Sequence, residues 1–544
     1  MQSSLLSAAV VSALALSATA VAGDLRTSSP VVRAQGLLNG PATSLVRRDS
    51  ADQFIAKDVV VDRNGNEHVR FARTYRGLPV IGGGIVVHSR NNQIKSVTQT
   101  LDALARPNIV PTVDKDWAIV EAGARLGSEY NFTKSPTSRT VIYARGDAAP
   151  KLAYEVRYQG VKKDQTPTDM HVIVDAHNGK ILDKWDRVYT AKPGPDGPKC
   201  ANPTAATGVG DALYLGEVEL GTGECSNGFQ LIDPTRGGGW TSNMGNRTVG
   251  LGTAFVDSDN VWGNGTNTNS QTVAVDAHFG VSSTWDYFLE VHGRAGIAND
   301  GKGALSRVHY GRNYANANWS DACFCMTFGD GNGSSVGPLV ELDVAGHEMS
   351  HGVTSRTADL IYSGESGGLN EATSDIFGAM VEYRANTEGD TPDYLIGELV
   401  FRQDPSLPYQ TALRYMFKPS LDGLSPDCWS PDIGGIDVHY SSGVANHFFY
   451  LLAEGAVVPD GWGEGTGANL TAADLVCNGN TELAGIGRAD AEQIWYLALT
   501  GYMVEDTDYP GARVATLSAA TDLFGADSPQ YAAVAAAWSA VSVE

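Results

Sequence analysis

Two histidines four residues apart, His347 and His351, constrain this chain more than any other feature in it. On a helix they stand one turn apart on the same face. Two imidazoles presented that way can bind one metal ion, typically zinc. Glu348 lies between them, within reach of a water on that metal. Glu371 falls in a second helical pattern and can close a site of two His and one Glu. Three protein ligands leave the fourth zinc position open, which is the catalytic rather than the structural arrangement. The fold must therefore bring two helices face to face. Leu342, Val344, Ala345 and Val353 flank the first helix with apolar residues, so its His and Glu are buried and need partners. The rival reading, two satisfied histidines on a surface helix, does not account for those flanks.

Composition narrows the setting. The chain has 544 residues, 42% of them apolar, with no extended low-complexity tract, enough for about two to four domains with sizeable cores. Leu5 to Ala22 form a short apolar run ending in Ala20-Val21-Ala22, an A-x-A pattern, before the polar Gly23-Asp24-Leu25-Arg26. This reads as a secretory signal peptide over residues 1–22, although Met1 to Ser4 carry no Lys or Arg. The run is too short and too rich in Ala and Ser for a membrane anchor. A secreted, extracellular product free of the membrane is expected. Six cysteines, an even number, suit an oxidising compartment. Cys200 and Cys225 are expected to pair, being close in sequence and flanked by loop residues. Cys323 and Cys325 stand too close for an easy mutual bond, so each is expected to pair elsewhere. Charge divides sharply. Residues 23–190 carry 24 Lys+Arg against 18 Asp+Glu, whereas residues 191–544 carry 15 against 44. The two parts should attract each other, and the acidic part would repel nucleic acid, which argues against that partner.

Residues 23–50 are polar, lack periodicity and read as a weakly ordered lead-in. Val59-Val60-Val61, the turn Asn64-Gly65 and His68 to Tyr75 carry hairpin signals, with another strand at Gly84 to His88. Residues 112–128 read as a helix bearing Trp117, Ala118, Val120, Ala124 and Leu126. Lys151–Tyr158 reads as a strand paired with His171–Asp175. Residues 188–199 are rich in Pro and Gly and read as an exposed, cleavable linker. Residues 200–335 show short strand patterns and one helix at Val281–Arg294. From Leu339 the pattern is mainly helical, with candidates over 366–386, 442–455, 488–503, 511–523 and 528–541.

The segment His347-Glu348-Met349-Ser350-His351 with Gly367-Gly368-Leu369-Asn370-Glu371-Ala372-Thr373-Ser374-Asp375 closely resembles the thermolysin family of secreted zinc endopeptidases. Asn316-Ala317-Asn318-Trp319 resembles that family's substrate-binding edge strand. Asp437-Val438-His439-Tyr440 resembles its elastase-like, vibriolysin-type branch. Residues 58–105 are similar to the fungalysin/thermolysin propeptide and residues 112–187 to a PepSY module. The resemblance implies an α+β architecture: a signal peptide at 1–22, an α+β propeptide at 23–190, and a two-lobed zincin catalytic domain. Its β-rich lobe would span 191–340, and its zinc helices and helical lobe 341–544.

The same resemblance implies roles. His347, His351 and Glu371 would bind zinc, with Glu348 as general base and Asp375 holding His347 in the right tautomer. Tyr362 and His439 would donate to the oxyanion, and Asp437 would orient His439. Gly434 stands where thermolysin itself has that Asp. Asn316 and the Ala317 carbonyl would hold the substrate as an added strand, and Arg414 would bind a substrate carbonyl. Leu339, Val344 and Leu413, with Val336 as a fourth candidate, would line an apolar pocket favouring cleavage before Leu, Phe, Ile or Val. Asp343, Glu382, Asp393 and Glu398, with the Leu395 carbonyl, would bind calcium. Because Ala379 and Leu395 replace Glu residues of family members, one calcium is expected rather than two. The aspartates around 257–259 are a weaker second candidate. N-x-S/T sequons begin at Asn131, Asn246, Asn264, Asn318, Asn332 and Asn469.

The expected product is a monomeric zinc-dependent neutral endopeptidase acting on proteins or peptides. It is made as a preproenzyme whose own propeptide assists folding and inhibits until cleavage near 187–199. A secreted binding protein or adhesin that merely keeps a zinc site is one rival. Glu348, Tyr362 and His439 argue against it, since binding needs none of them. An aminopeptidase is another, opposed by Asn316 and Arg414, which suit an internal stretch of peptide.

Overall fold

The computed structural model describes residues 25–40, 42–127, 130–146, 148–187 and 200–544. The signal-peptide and linker readings fall outside these residues. Alternating apolar residues in the N-terminal part build one sheet from β1 (Asp52–Val61), β2 (Glu67–Tyr75), β3 (Leu78–Ile81), β4 (Ile85–Arg90), β5 (Gln93–Gln99), β6 (Tyr130–Phe132), β7 (Thr137–Tyr143), β8 (Lys151–Lys162), β9 (Pro167–Asp175) and β10 (Ile181–Asp186). Its order is β10-β9-β8-β7-β3-β2-β4-β5, with β1 paired to β2 and β6 to β8. The Asn64-Gly65 turn sets the first hairpin, Gly65 lying at φ +78, where a side chain would be strained. β8 and β9 pair antiparallel, Ala153 opposite Asp175. A parallel β3–β7 pair joins what reads as two modules, and each keeps its own core.

One expectation is corrected here. The lead-in is not weakly ordered: α1 (Ser29–Leu38) buries Val31, Ala34, Leu37 and Leu38 in a core with Phe71, Ile85 and Val87. Pro30 sits in its first turn, where no N–H is needed. α2 (Lys115–Ala124), capped by Asp114, buries Ala118 and Ala122 but exposes Trp117 and Val120. The small alanines let the helix lie close on the sheet, and the larger residues turn outward.

Beyond the linker, a five-stranded sheet is built from residues 204–263, and a six-stranded mixed sheet from residues 232–329. In the second, Ala317–Ser320 is the edge strand, paired only with Cys325–Gly329. α3 (Ser270–His292) starts well before the expected Val281. Its first half, Thr272 to His278, is buried on all sides and so shows no amphipathic period. The helical region follows as α4 (Leu342–Ser355), α5 (Gly364–Ala385), α6 (Val438–Ser441), α7 (Gly443–Glu454), α8 (Arg488–Leu497), α9 (Tyr509–Phe524) and α10 (Pro529–Ala540).

Glycine decides how closely α4 and α5 approach. A Cβ on Gly378 of α5 would lie 2.6 Å from the Asp343 carbonyl oxygen of α4. One on Gly346 would lie 2.9 Å from Gly378 Cα. The two helices thus cross backbone against backbone. Cys200–Cys225 forms as expected, and Cys428 pairs with Cys477. Cys323 and Cys325 are bonded to each other, against expectation, with Cα atoms 5.2 Å apart. Phe324 between them adopts φ +53, a left-handed turn that brings them together, whereas an extended strand would hold them ~6.6 Å apart.

The N-terminal part docks on the rest through charge and backbone. Arg70 donates to the carbonyls of Met503 at 2.6 Å and Thr500 at 3.1 Å. The Gly82 and Gly83 amides donate to the half-buried Glu505 at 2.6 and 3.1 Å, and Arg187 bonds Asp359 at 2.8 Å. Ile361 completes an apolar cluster with Ile81, Val141, Ala153, Ile173 and Trp185.

Gly378→Ala is expected to cost about 1–3 kcal/mol through overpacking at the α4–α5 crossing, read as a lower thermal midpoint with weaker zinc retention. An unchanged midpoint would show that the helices have room to part.

Candidate functional site

The α4–α5 crossing converges the three expected metal ligands. His347 Nε2 and His351 Nε2 are 3.0 Å apart. The Glu371 carboxylate lies 3.6 Å from the first and 3.4 Å from the second. Ligand atoms sharing a tetrahedral zinc stand ~3.3 Å apart, so the donor set fits that ion. Glu371 Oε2 is buried without a hydrogen-bond partner, which leaves it available as a ligand.

The supporting bonds set the tautomers. His347 Nδ1 meets Asp375 at 2.8 Å and His351 Nδ1 meets the Asn370 side-chain oxygen at 2.8 Å. With each Nδ1–H donating, each Nε2 is left to ligate. Asp375 meets the histidine it was expected to hold. No part was expected of Asn370, although it stands beside Glu371 in the motif. Asn370 Nδ2 donates to the Leu360 carbonyl at 2.9 Å, which fixes the orientation of its amide. Asn446 of α7 donates to Asp375 at 2.7 Å, a contribution that no local pattern signals. Arg414 also grips Asp375, through Nε at 2.7 Å and Nη2 at 2.6 Å, and only Nη1 remains outside that pair. Burial raises the Asp375 carboxyl, but Arg414 and His347 outweigh it and bring it down to about 2.

Burial likewise lifts Glu371, yet His439, His351 and His347 hold it well below the usual carboxylate range. Burial lowers the His351 imidazole, and the adjacent Glu371 more than offsets this, carrying it up to about 9. Glu348 is buried, its Oε2 has no partner, and burial raises its carboxyl. A raised, unpartnered carboxyl is the condition of a group that can take up a proton. Tyr362 hydroxyl touches Glu371 and lies 3.1 Å from His439 Nε2. Burial, then Glu371, push its phenol far up, so it stays a donor. His439 Nδ1 meets Asp437 at 2.6 Å. The Glu371 charge, opposed by burial and aided by Asp437, raises the His439 imidazole.

These groups line a cleft of about 770 Å³. Asn316 and Ala317 at the edge strand form one side of it. Leu339, Val344 and Leu413 line it together with Ile396, which sequence reasoning missed. Val336 instead bridges to Phe401. The N-terminal part walls the cleft with Lys162, Asp164, Thr166, Lys184, Asp186 and Arg187. Between them Gln165 bonds the Arg312 backbone at 2.7 and 2.9 Å.

Behind α4 and α5 lies a carboxylate cluster. Its carboxylates fall in two groups that share Glu398: Glu341, Asp343 and Glu398 form one, and Glu382, Asp390 and Glu398 the other. Glu382 Oε1 and Oε2, Asp390 Oδ2 and Glu398 Oε2 are buried without partners. Burial and then mutual repulsion raise all of these carboxyls. A hard cation relieves both penalties, and the all-oxygen donor set suits calcium. Asp393 lies beside the cluster, its carboxylate accepting the Leu395 amide at 2.6 Å. Asp257 does not complete such a group: its oxygens accept from Asp259, Asn260 and Gln271. Of the sequons, Asn318 is buried, its Nδ2 bonded to Tyr314.

Comparison with known proteins agrees with this geometry. Residues 207–355 match the family model of the thermolysin metallopeptidase catalytic domain and residues 358–543 that of its alpha-helical domain. Residues 52–101 match the fungalysin/thermolysin propeptide motif. The chain is 46% identical to a transglutaminase-activating metalloprotease of Streptomyces mobaraensis, covering 90% of this chain and 61% of that protein. It is 34% identical to a thermolysin of Alicyclobacillus acidocaldarius, covering 89% of this chain and 84% of that one. A solved precursor of protealysin from Serratia proteamaculans aligns over 56% of this chain and 87% of its own, at 28% identity and a TM-score of 0.43. The chain belongs to the thermolysin family of zinc metallopeptidases and carries that family's propeptide motif. Nothing in these comparisons supports a binding protein without activity.

Asp390→Asn is expected to remove most of the rise in thermal midpoint that calcium gives the parent protein. An identical calcium titration in parent and variant would remove Asp390 from the ligand set.

Proposed function

We propose that this is a secreted neutral endopeptidase made as a preproenzyme, with a signal peptide at 1–22, a propeptide at 23–190 and a catalytic part at 191–544. The observation that carries the reading is the convergence of His347, His351 and Glu371 beside an unpartnered Glu348 in an open cleft. Zinc held by His347, His351 and Glu371 would polarise the scissile carbonyl and acidify the attacking water. Glu348 takes the proton of that water and passes it to the leaving amine. Tyr362 and His439 donate to the oxyanion that develops on the substrate, and Asp437 keeps His439 oriented and protonated. Asp375, itself clamped by Arg414 and Asn446, fixes His347. The free edge at Asn316 and Ala317 takes the peptide as an added strand, and Arg414 Nη1 bonds a substrate carbonyl. Leu339, Val344, Leu413 and Ile396 offer an apolar pocket, which favours cleavage before bulky hydrophobic residues. Calcium at Asp343, Glu382, Asp390, Asp393 and Glu398, with the Leu395 carbonyl, braces the zinc helices from behind.

Glu348→Gln should retain zinc and lose about 10²- to 10⁴-fold in casein hydrolysis, the range of general-base catalysis. Equal hydrolysis by parent and variant would overturn the assignment of the base, and a zinc-loaded parent that cleaves neither casein nor a blocked Leu or Phe peptide would overturn the endopeptidase reading.

The propeptide inhibits by walling the cleft, drawn there by its opposite charge. Residues 23–190 supplied separately should inhibit the matured enzyme at low salt and less at high salt, and Arg70→Ala should weaken that inhibition. Inhibition indifferent to both salt and Arg70 would mean that charge does not hold the propeptide.

A further inference from the structure

A third group of chelating side chains lies away from the cleft, across the boundary between the N-terminal part and α9. Asp62 and His68 belong to the β1–β2 hairpin, and Asp522 belongs to α9. All three side chains are almost wholly buried. His68 Nε2 lies 3.9 Å from Asp62 Oδ2 and 3.8 Å from Asp522 Oδ2. Those separations are too long for an N–H···O bond, and His68 Nε2 has no hydrogen-bond partner at all.

The other side of the ring explains why this nitrogen is a donor of electrons. His68 Nδ1 is 2.8 Å from His88 Nδ1, and His88 Nε2 is 2.8 Å from Thr98 Oγ1. Both ring nitrogens of His88 are thus engaged, and a neutral imidazole carries one N–H. With that N–H on Nε2 and given to Thr98, His88 Nδ1 accepts from His68 Nδ1–H. His68 Nε2 is then a bare lone pair facing two carboxylates. The opposite tautomers would place a buried N–H at Nε2 with no acceptor within reach. An imidazole held through one nitrogen by a neighbour, its other nitrogen aimed at carboxylates, is the arrangement of a metal-ligating histidine. The carboxylates have capacity left. Asp62 Oδ2 accepts from Asn66 Nδ2 at 2.6 Å, and Asp522 Oδ2 accepts from Tyr502. Each oxygen keeps a second lone pair. Lys95 bonds Asp522 through the other oxygen, Oδ1, and also reaches Asn66 Oδ1 at 3.3 Å.

We propose that Asp62, His68 and Asp522 form a divalent metal site that pins the N-terminal part to α9. One imidazole with two carboxylates suits zinc or a similar transition metal, whereas calcium takes oxygen donors alone. Two of the three ligands lie in the N-terminal part, so the intact chain holds this ion and the matured enzyme does not. That last consequence rests on the proposed removal of the propeptide; the site itself does not.

The test uses the full-length chain carrying Glu348→Gln, so that it stays intact. It is equilibrated with zinc in excess calcium and desalted, and the zinc bound per chain is counted. Two zinc ions are expected in that parent, falling to one in His68→Gln and to one in Asp522→Asn, with the near-UV circular dichroism of each unchanged. The two variants sit on opposite sides of the boundary, so misfolding of one leaves the other to decide. A parent with one zinc overturns this site and leaves the catalytic one standing, and a parent with none sinks both. A second zinc that survives either substitution in a folded variant also overturns it.

Discussion

The close crossing of α4 and α5 is the contact on which the rest of the catalytic part depends. Gly346 and Gly378 let the backbones meet where any side chain would hold them apart. That approach sets the separation of His347, His351 and Glu371. It also places Asp375 of α5 against His347 of α4. On the far side of the same pair, Asp343 of α4 and Glu382 of α5 each lie near Glu398 in a buried, anionic region. One helix pair thus carries a histidine-rich centre on one face and an acidic cluster on the other. The cations that suit each would hold the pair together from both sides.

Burial and neighbouring charges pull against each other around this pair, and the charges win at Glu371 and Asp375. Glu348 and Glu371 occupy neighbouring positions in one cleft and are pushed in opposite directions. Glu371 is surrounded by imidazoles and stays ionised. Glu348 feels burial first and rises. Two carboxyls held apart in this way can take different roles, one as a ligand and one as a proton carrier. The N-terminal part adds a further layer, because its basic residues meet the acidic catalytic part at Arg187–Asp359 and Lys95–Asp522. Its glycine amides meet Glu505, a carboxyl that burial, then Asp506, lift to about 7. Backbone donors serve such a group well, since they stabilise its charge without adding another to be buried.

Much of this was legible in residue order. The two metal helices, the edge strand, the β1–β2 hairpin and the β8–β9 pairing all rest on local spacing, and local spacing is preserved on folding. What escaped notice had physical causes. α1 hides in a polar stretch because four well-placed apolar residues suffice to anchor one short helix. The first half of α3 is buried all round and offers no periodicity to read. The Cys323–Cys325 bond depends on one left-handed residue, Phe324, that composition does not announce.

The sequence by itself determined the chemistry: which atoms could bind zinc, which carboxyl could carry a proton, and which half of the chain carries which charge. These follow from side-chain identity and short-range periodicity. Only the tertiary structure decided the partners that arrive from far away. Asn446 reaches Asp375, Arg414 commits two of its three nitrogens to that carboxylate, and Asp390 joins Glu382 and Glu398. Asp522 comes to face His68 across more than four hundred residues of chain. No local pattern encodes such meetings, because they are fixed by how helices and sheets pack, and packing depends on every surface that must be buried at once.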